Sequence, residues 1–251
     1  MTALLVLACV SEGTIGEGPV TSTDLAPIDY WTDTVAQCGL NDAPVTLSYS
    51  GWDDASQACG EAIDGDFGAD PADFKDFQDA LHQLHQAGLF LASWESAAWD
   101  ELAVGDYLRQ PFIDALSQAP QDWSVQQALY NYVADRIDRT IYAYPTGSFD
   151  ASFDWETGTL SVPEDGWPFD ALALAALMVH MARHADTQTG HVACDDGVEA
   201  CDADWSGPLG FEAGAAYAWW LHLPQEADDW HPWQSAAEDA LARARRGILV
   251  D

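Results

Sequence analysis

The chain has 251 residues, of which 42 are acidic and 8 are lysine or arginine, giving a formal net charge of −34. That length suits one globular domain or two small ones, and an apolar fraction of 48% is enough to build a buried core. So strong a negative charge repels phosphate backbones and anionic lipid headgroups, which argues against nucleic-acid binding and electrostatic attachment to membranes. We expect a folded domain with an acidic coat, which favours a peptide or a cationic protein as partner.

The first nine residues form a short apolar run that ends at Cys9. Its last four residues, Val6-Leu7-Ala8-Cys9, are similar to a bacterial lipobox, although the run is short and no lysine or arginine precedes it. We predict a signal peptide over residues 1–9 with lipidation at Cys9, and a flexible tether over the Gly-, Ser- and acid-rich residues 10–28. A single globular domain then occupies residues 29–251. The alternative for the first residues is a buried strand or a frayed terminus.

The other four cysteines form two groups that are local in sequence: Cys38 with Cys59, and Cys194 with Cys201. Four cysteines allow three pairings, and the local one closes two modest loops. Disulfides belong to oxidising compartments, so this pairing predicts an exported protein of the cell envelope or periplasm, with a lipid anchor as its contact with the membrane. Zinc binding by these cysteines is the alternative, but no C-x-x-C spacing occurs.

In chain order, a turn-rich segment over residues 30–68 precedes a run of predicted helices and strands. The segment contains one strand-like run, 45–49. Helices are predicted over 72–87, over 107–119 and from the capping box Ser124-x-x-Gln127 onward. A strand and a hairpin follow, at 141–144, 148–153 and 159–162.

Three more helices complete the domain. The first, 171–184, is apolar on nearly every face, so we expect it to be central. The second covers 211–222. The third follows the capping box Ser235-x-x-Glu238 and ends at Arg243, Arg245 and Arg246, which favour the negative end of a helix dipole. The fold class is therefore α+β, mainly helical.

The predicted central helix carries two histidines, His180 and His184. A spacing of four residues places both imidazoles on one face, one turn apart, so that two ring nitrogens can meet one metal ion. Imidazoles in an apolar buried helix need partners. The alternative interpretation is a pair of core histidines that hydrogen-bond to neighbours such as Asp186 or Glu212.

The run His180-Met181-Ala182-Arg183-His184 resembles the H-E-x-x-H helix of zincin metallopeptidases. It is particularly similar to a group of exported bacterial proteins in which this helix reads H-E-A-R-H. The resemblance covers about residues 140–222, including a similar downstream pattern with Gly190-His191, Cys194, Cys201-Asp202 and residues 207–210. It implies a zincin-like fold, in which an edge strand flanks the active-site helix, and zinc as the cofactor.

Met181 stands where that family has the glutamate that acts as general base. A thioether accepts no proton at neutral pH, and losing a positioned base costs about 10²- to 10⁴-fold in rate. The resemblance thus implies a catalytically impaired or inactive metallopeptidase homologue that still binds zinc, with no catalytic residue assigned. Two alternatives remain: an active metallohydrolase that uses another carboxylate as base, and a non-enzymatic acidic binding protein. The candidate carboxylates are Asp186, Asp202 and Asp204.

A zinc site needs a third protein ligand. Glu212, which follows His184 by 28 residues at the start of the next predicted helix, resembles the third ligand of zincins that use a glutamate there, and we favour it. His191 is the alternative, although its offset of seven residues from His184 does not reproduce the metzincin spacing H-x-x-G-x-x-H. Arg183 is expected to pair with Asp186 or Asp202.

Overall fold

The structure is a computed structural model that describes residues 27–39, 56–70, 77–93, 102, 104–143, 151–163, 171–188, 190–194, 199–222 and 230–249. Within these ranges the fold is mainly helical with a small sheet, which confirms the predicted α+β class. The helices are α1 Tyr30–Gln37, α2 Gln57–Phe67, α3 Phe77–Ser93, α4 Asp106–Ala115, α5 Val125–Ala134, α6 Ala171–Thr187, α7 Pro208–His222 and α8 Trp230–Gly247. The strands are β1 Ala69–Asp70, β2 Arg139–Ala143, β3 Ser152–Asp154, β4 Thr159–Pro163, β5 Val192–Ala193 and β6 Glu199–Cys201.

The larger sheet has four strands in the order β1-β2-β4-β3. The first three are parallel, with Thr140 opposite Leu160, and β3 runs antiparallel to β4 at one edge, with Phe153 opposite Leu160. Leu160 and Phe153 are buried. The strands β5 and β6 form a separate antiparallel pair.

Helix α6 is central, as its sequence predicts. Residues 174–184 are all buried, and α6 packs against α3, α5, α7 and β3. A helix that is apolar on nearly every face must have neighbours on every side, because any face left in water would expose apolar surface. The central position of α6 follows from its composition.

Close approach between helices α7 and α4 depends on a glycine. A Cβ added to Gly214 would lie 2.3 Å from the ring of Phe112, and that ring stacks on Phe211 with centroids 4.2 Å apart. Helix α7 also packs against α6 and α8. It therefore joins the central helix to the C-terminal helix.

Several predicted boundaries are wrong. Helices α1 and α2 occupy the segment that we predicted to be rich in turns, and each begins at a capping side chain, Asp29 and Ser56. Helix α8 begins at Trp230, so Ser235 lies inside it rather than at its N-terminus. Helix α3 extends to Ser93, six residues beyond its predicted end at residue 87. The predicted strand at 45–49, residues 1–26 and the lipidation site Cys9 lie outside the described residues.

Both predicted disulfides are present, so the zinc alternative for these cysteines is wrong. Cys38 and Cys59 join the C-terminal end of α1 to α2, with Cα atoms 4.5 Å apart. Cys194 and Cys201 join the ends of the β5–β6 pair, with Cα atoms 5.2 Å apart. None of the helices in the described ranges has the length and apolarity needed to cross a bilayer.

We expect Gly68→Ala to lower the free energy of unfolding by about 2 kcal/mol or more, because Gly68 has φ 59° and a Cβ there would lie 1.9 Å from the carbonyl oxygen of Asp138. Gly65→Ala is the matched control within α2. Nothing lies within 4 Å of its Cβ position, so we expect a gain of about 0.5–1 kcal/mol. Urea denaturation followed by tryptophan fluorescence measures both. Equal effects of the two substitutions would contradict the prediction.

Candidate metal centre

Three histidines lie together at one end of the central helix. His180 and His184 come from successive turns of α6, and His191 comes from the segment that precedes β5. The ring centroids are 5.0 Å apart for His180 and His184, 5.3 Å for His180 and His191, and 4.7 Å for His184 and His191. One nitrogen from each ring lies within 4.8 Å of the other two, so the three residues can hold a metal ion.

The chain reverses after α6 to bring His191 back to the helix. Helix α6 ends where Gln188 adopts a left-handed conformation with φ 49°, and its N–H donates to the carbonyl of His184 at 2.8 Å. The β5–β6 pair follows, and the Cys194–Cys201 disulfide closes it. The cross-link therefore lies in the loop that carries His191, which restricts how far this histidine can move.

Asp202 fixes the orientation of His191. Its Oδ1 atom accepts a hydrogen bond from His191 Nδ1 at 2.7 Å, and its Oδ2 atom accepts one from the backbone N–H of Leu209, in the first turn of α7, at 2.6 Å. Because Nδ1 carries the proton in this contact, the lone pair of His191 lies on Nε2. This arrangement is the one by which carboxylates orient metal-binding histidines in proteins.

Glu212 has the same relation to His180. Its Oε2 atom accepts from His180 Nδ1 at 3.1 Å, and its Oε1 atom accepts from Arg243 Nη2 at 2.5 Å. Burial by itself raises the pKa of the Glu212 carboxyl, but Arg243 and His180 outweigh burial and lower this pKa to about 2. Glu212 is therefore ionised and can only accept hydrogen bonds, which leaves the His180 lone pair on Nε2.

The structure thus brings His191, the alternative third ligand, into the group with His180 and His184. Glu212, the ligand favoured from the sequence, lies beyond His180, with its two oxygens occupied by His180 and Arg243. His180 bonds to Glu212 through Nδ1, as the alternative interpretation of the buried histidines expects, and it also belongs to the three-histidine group. The three imidazoles each offer a ring nitrogen within 4.8 Å of the other two, so the group could hold one metal ion.

Met181 is fully buried in the hydrophobic core, directly after His180. The three carboxylates named as replacement bases already have partners. Asp202 bonds to His191 and Leu209, and Asp186 bonds to the arginines at 136 and 183. Asp204 accepts from the side chain and backbone of Ser206, which lower the pKa of its carboxyl. Each of the three carboxylates therefore already accepts hydrogen bonds from groups of the protein.

Arg183 pairs with Asp186 rather than with Asp202. Its Nη1 donates to Asp186 at 2.6 Å and its Nε donates to the carbonyl of Ser206 at 2.7 Å. The segment between β6 and α7 is thereby tied to α6, next to His184. Arg136 donates to the other oxygen of Asp186 at 2.9 Å.

Two contacts of the site are not predicted from the sequence: the hydrogen bond of Asp202 to His191 and that of Arg243 to Glu212. Asp202 was named as a base and a salt-bridge partner, and Arg243 as a helix C-terminal cation. The only relevant signal in the sequence is its composition. Because the chain has 8 cationic and 42 acidic residues, each arginine is expected to form an ion pair with some carboxylate. Nothing in the spacing indicates which one it meets.

No known family model matches the chain, and neither a curated protein nor a solved structure is significantly similar to it. The resemblance to zincins therefore remains an expectation from the sequence.

We expect Asp202→Asn to lower the free energy of unfolding of the metal-free protein by about 2 kcal/mol, because an amide nitrogen must then face one of two N–H donors, those of His191 and Leu209. Asp239→Asn, at an exposed position of α8, is the control and should change it by less than about 0.5 kcal/mol. Chemical denaturation in the presence of a chelator measures both. An effect of Asp202→Asn no larger than that of the control would contradict the contacts described here.

Proposed function

We propose that the protein is an exported, zincin-like metal-binding domain in which His180, His184 and His191 bind zinc without efficient peptide hydrolysis. The observation that carries the proposal is the convergence of three imidazoles, two of which donate their Nδ1–H to buried carboxylates. Such carboxylates fix the imidazole ring and raise the basicity of the other nitrogen. Histidines that serve only as core residues do not need this convergence.

The donor set favours a transition metal. Imidazole suits zinc, copper, iron and nickel, whereas calcium and magnesium take oxygen ligands. Sets of three protein ligands are typical of zinc sites that keep a fourth position for water or for a ligand. A donor group of a peptide or of a cationic protein segment is the partner that we assign to this position.

The strand order near α6 supports the zincin-like assignment. The sheet ends in β3, an antiparallel edge strand, and the chain returns through β4 before it reaches α6. The resemblance implies this order, with an edge strand that flanks the helix bearing the histidines. The exported location is supported by the two disulfides, which persist in oxidising compartments. Lipidation at Cys9 belongs to the proposal on the sequence motif.

We infer zinc binding rather than peptide hydrolysis because, among the described residues, no carboxylate near the histidines is placed to act as a general base. The position of the family's general base is held by Met181, and the alternatives Asp186, Asp202 and Asp204 are occupied by hydrogen-bond donors. A general base must be placed to take a proton from water, and carboxylate oxygens that already accept hydrogen bonds from the protein are not placed to do so. A metal can still lower the pKa of bound water, so slow residual hydrolysis is compatible with the site.

Metal titration tests the proposal. We expect the purified protein to bind one zinc ion, and His180→Ala, His184→Ala or His191→Ala to weaken binding by roughly 100-fold or more. His85→Ala is the control, because His85 pairs with Asp64 between α2 and α3, away from the group. Isothermal titration calorimetry and elemental analysis measure the affinity and the stoichiometry. Absence of stoichiometric metal, or equal affinity in all four variants, would exclude a metal centre and favour the non-enzymatic acidic binding protein.

Restoring the general base tests the zincin-like assignment. We expect Met181→Glu to produce zinc-dependent hydrolysis of an unfolded protein substrate, with a rate about 10²- to 10⁴-fold above that of the unmodified chain. Added chelator and a second substitution, His184→Ala, should abolish it. Met178→Glu, three residues earlier and also fully buried, is the control and should only destabilise the fold. A folded Met181→Glu variant that binds zinc but shows no hydrolysis would argue against the zincin-like site.

A further inference from the structure

We propose that Arg243 is a positioning residue of the metal centre, which holds the Glu212 carboxylate against His180 and thereby fixes the nitrogen that His180 offers to the metal. The inference rests on the proposed function, because it concerns the same three histidines. It assigns a role to a residue of the C-terminal helix α8 that the sequence explains as a helix-end cation.

The contact is a bridge in which each carboxylate oxygen has its own donor. Arg243 Nη2 donates to Glu212 Oε1 at 2.5 Å, and His180 Nδ1 donates to Glu212 Oε2 at 3.1 Å. Glu212 is 5% exposed, so its charge is withdrawn from water and depends on these two partners. The Arg243 side chain is one-third exposed, and its guanidinium therefore reaches the carboxylate from the protein surface.

The same helix also supports the second carboxylate. Directly after the last arginines of α8, the carbonyl of Gly247 accepts from the Asp202 N–H at 2.6 Å. The N–H of Leu249 donates to the Asp202 carbonyl at 3.0 Å. Asp202 in turn holds His191. The C-terminal element of the chain therefore supports both carboxylates that orient the histidines, through a side chain at Glu212 and through the backbone at Asp202.

Removing Arg243 leaves a buried carboxylate with one partner. Glu212 is then able to turn toward water and away from His180, so that His180 loses its fixed acceptor. The imidazole can then rotate or change its tautomer, which weakens the metal bond. Outer partners of this kind typically change metal affinity by about 10- to 100-fold.

The experiment compares two arginines of the same helix. Arg243→Gln removes the bridge, and Arg246→Gln, at an exposed position in the last turn of α8, makes the same change in net charge. Co²⁺ serves as the probe, with affinity measured by titration and the site reported by the visible absorption of bound Co²⁺. Arg243→Lys, which retains the charge and a donor, is the conservative variant. Circular dichroism establishes that each variant folds.

We expect Arg243→Gln to bind Co²⁺ about 10-fold more weakly or worse and to shift the absorption bands, with Arg246→Gln matching the unmodified protein and Arg243→Lys recovering part of the loss. Equal affinities and equal spectra for Arg243→Gln and Arg246→Gln overturn the inference and leave the proposed function in place. Failure of the unmodified protein to bind Co²⁺ overturns the proposed function, and the inference with it.

Nuclear magnetic resonance of the unmodified, metal-free protein tests the same bridge in case a variant does not fold. We expect long-range ¹H–¹⁵N spectra to show His180 with its proton on Nδ1, and the guanidinium protons of Arg243 to exchange with water more slowly than those of Arg246. A proton on His180 Nε2, or equal exchange at the two arginines, overturns the bridge without any substitution.

Discussion

Buried imidazoles need hydrogen-bond partners, and the arrangement around α6 provides carboxylate partners for His180 and His191. Leaving a buried polar group without a partner costs about 1–3 kcal/mol, which is large against the stability of a domain. Glu212 on α7 bonds to His180, and Asp202 after β6 bonds to His191. Helix α8 supports both carboxylates through Arg243 and the backbone around residue 248. The polar centre thus links α6, α7, α8 and the small hairpin.

The acidic composition gives this centre its electrostatic character. A chain with a net charge of −34 has carboxylates in excess, so the few cations determine which of them can be buried. Arg243 accompanies Glu212, while Arg183 and Arg136 share Asp186 beside the end of α6. Three of the eight cationic residues are therefore paired with two carboxylates near the end of α6 or behind His180, where they offset the repulsion between like charges.

A site of this kind separates metal binding from catalysis. Metal binding needs neutral imidazoles in a fixed orientation, which the carboxylates provide, whereas hydrolysis also needs a base with a pKa suited to proton transfer. Met181 supplies no such group, and the nearby carboxylates of Asp186 and Asp202 already accept hydrogen bonds from the protein. We regard a metal centre whose fourth position takes a partner's donor group as the function that agrees with both facts. The Cys194–Cys201 disulfide restrains the loop that brings the third histidine, without contributing a ligand.

The sequence by itself determined the features that depend on local pattern. Because α6 is apolar on nearly every face, its sequence implied a central position. The four-residue spacing placed His180 and His184 on one face. The cysteines that are close in sequence form the two disulfides. Only the tertiary structure placed His191 beside His180 and His184, and Glu212 between His180 and Arg243, because these contacts depend on how the chain turns after α6 and on where α8 places Arg243. Helix periodicity reaches a few residues along the chain, whereas the partner of a buried charge is set by contacts between segments far apart in sequence.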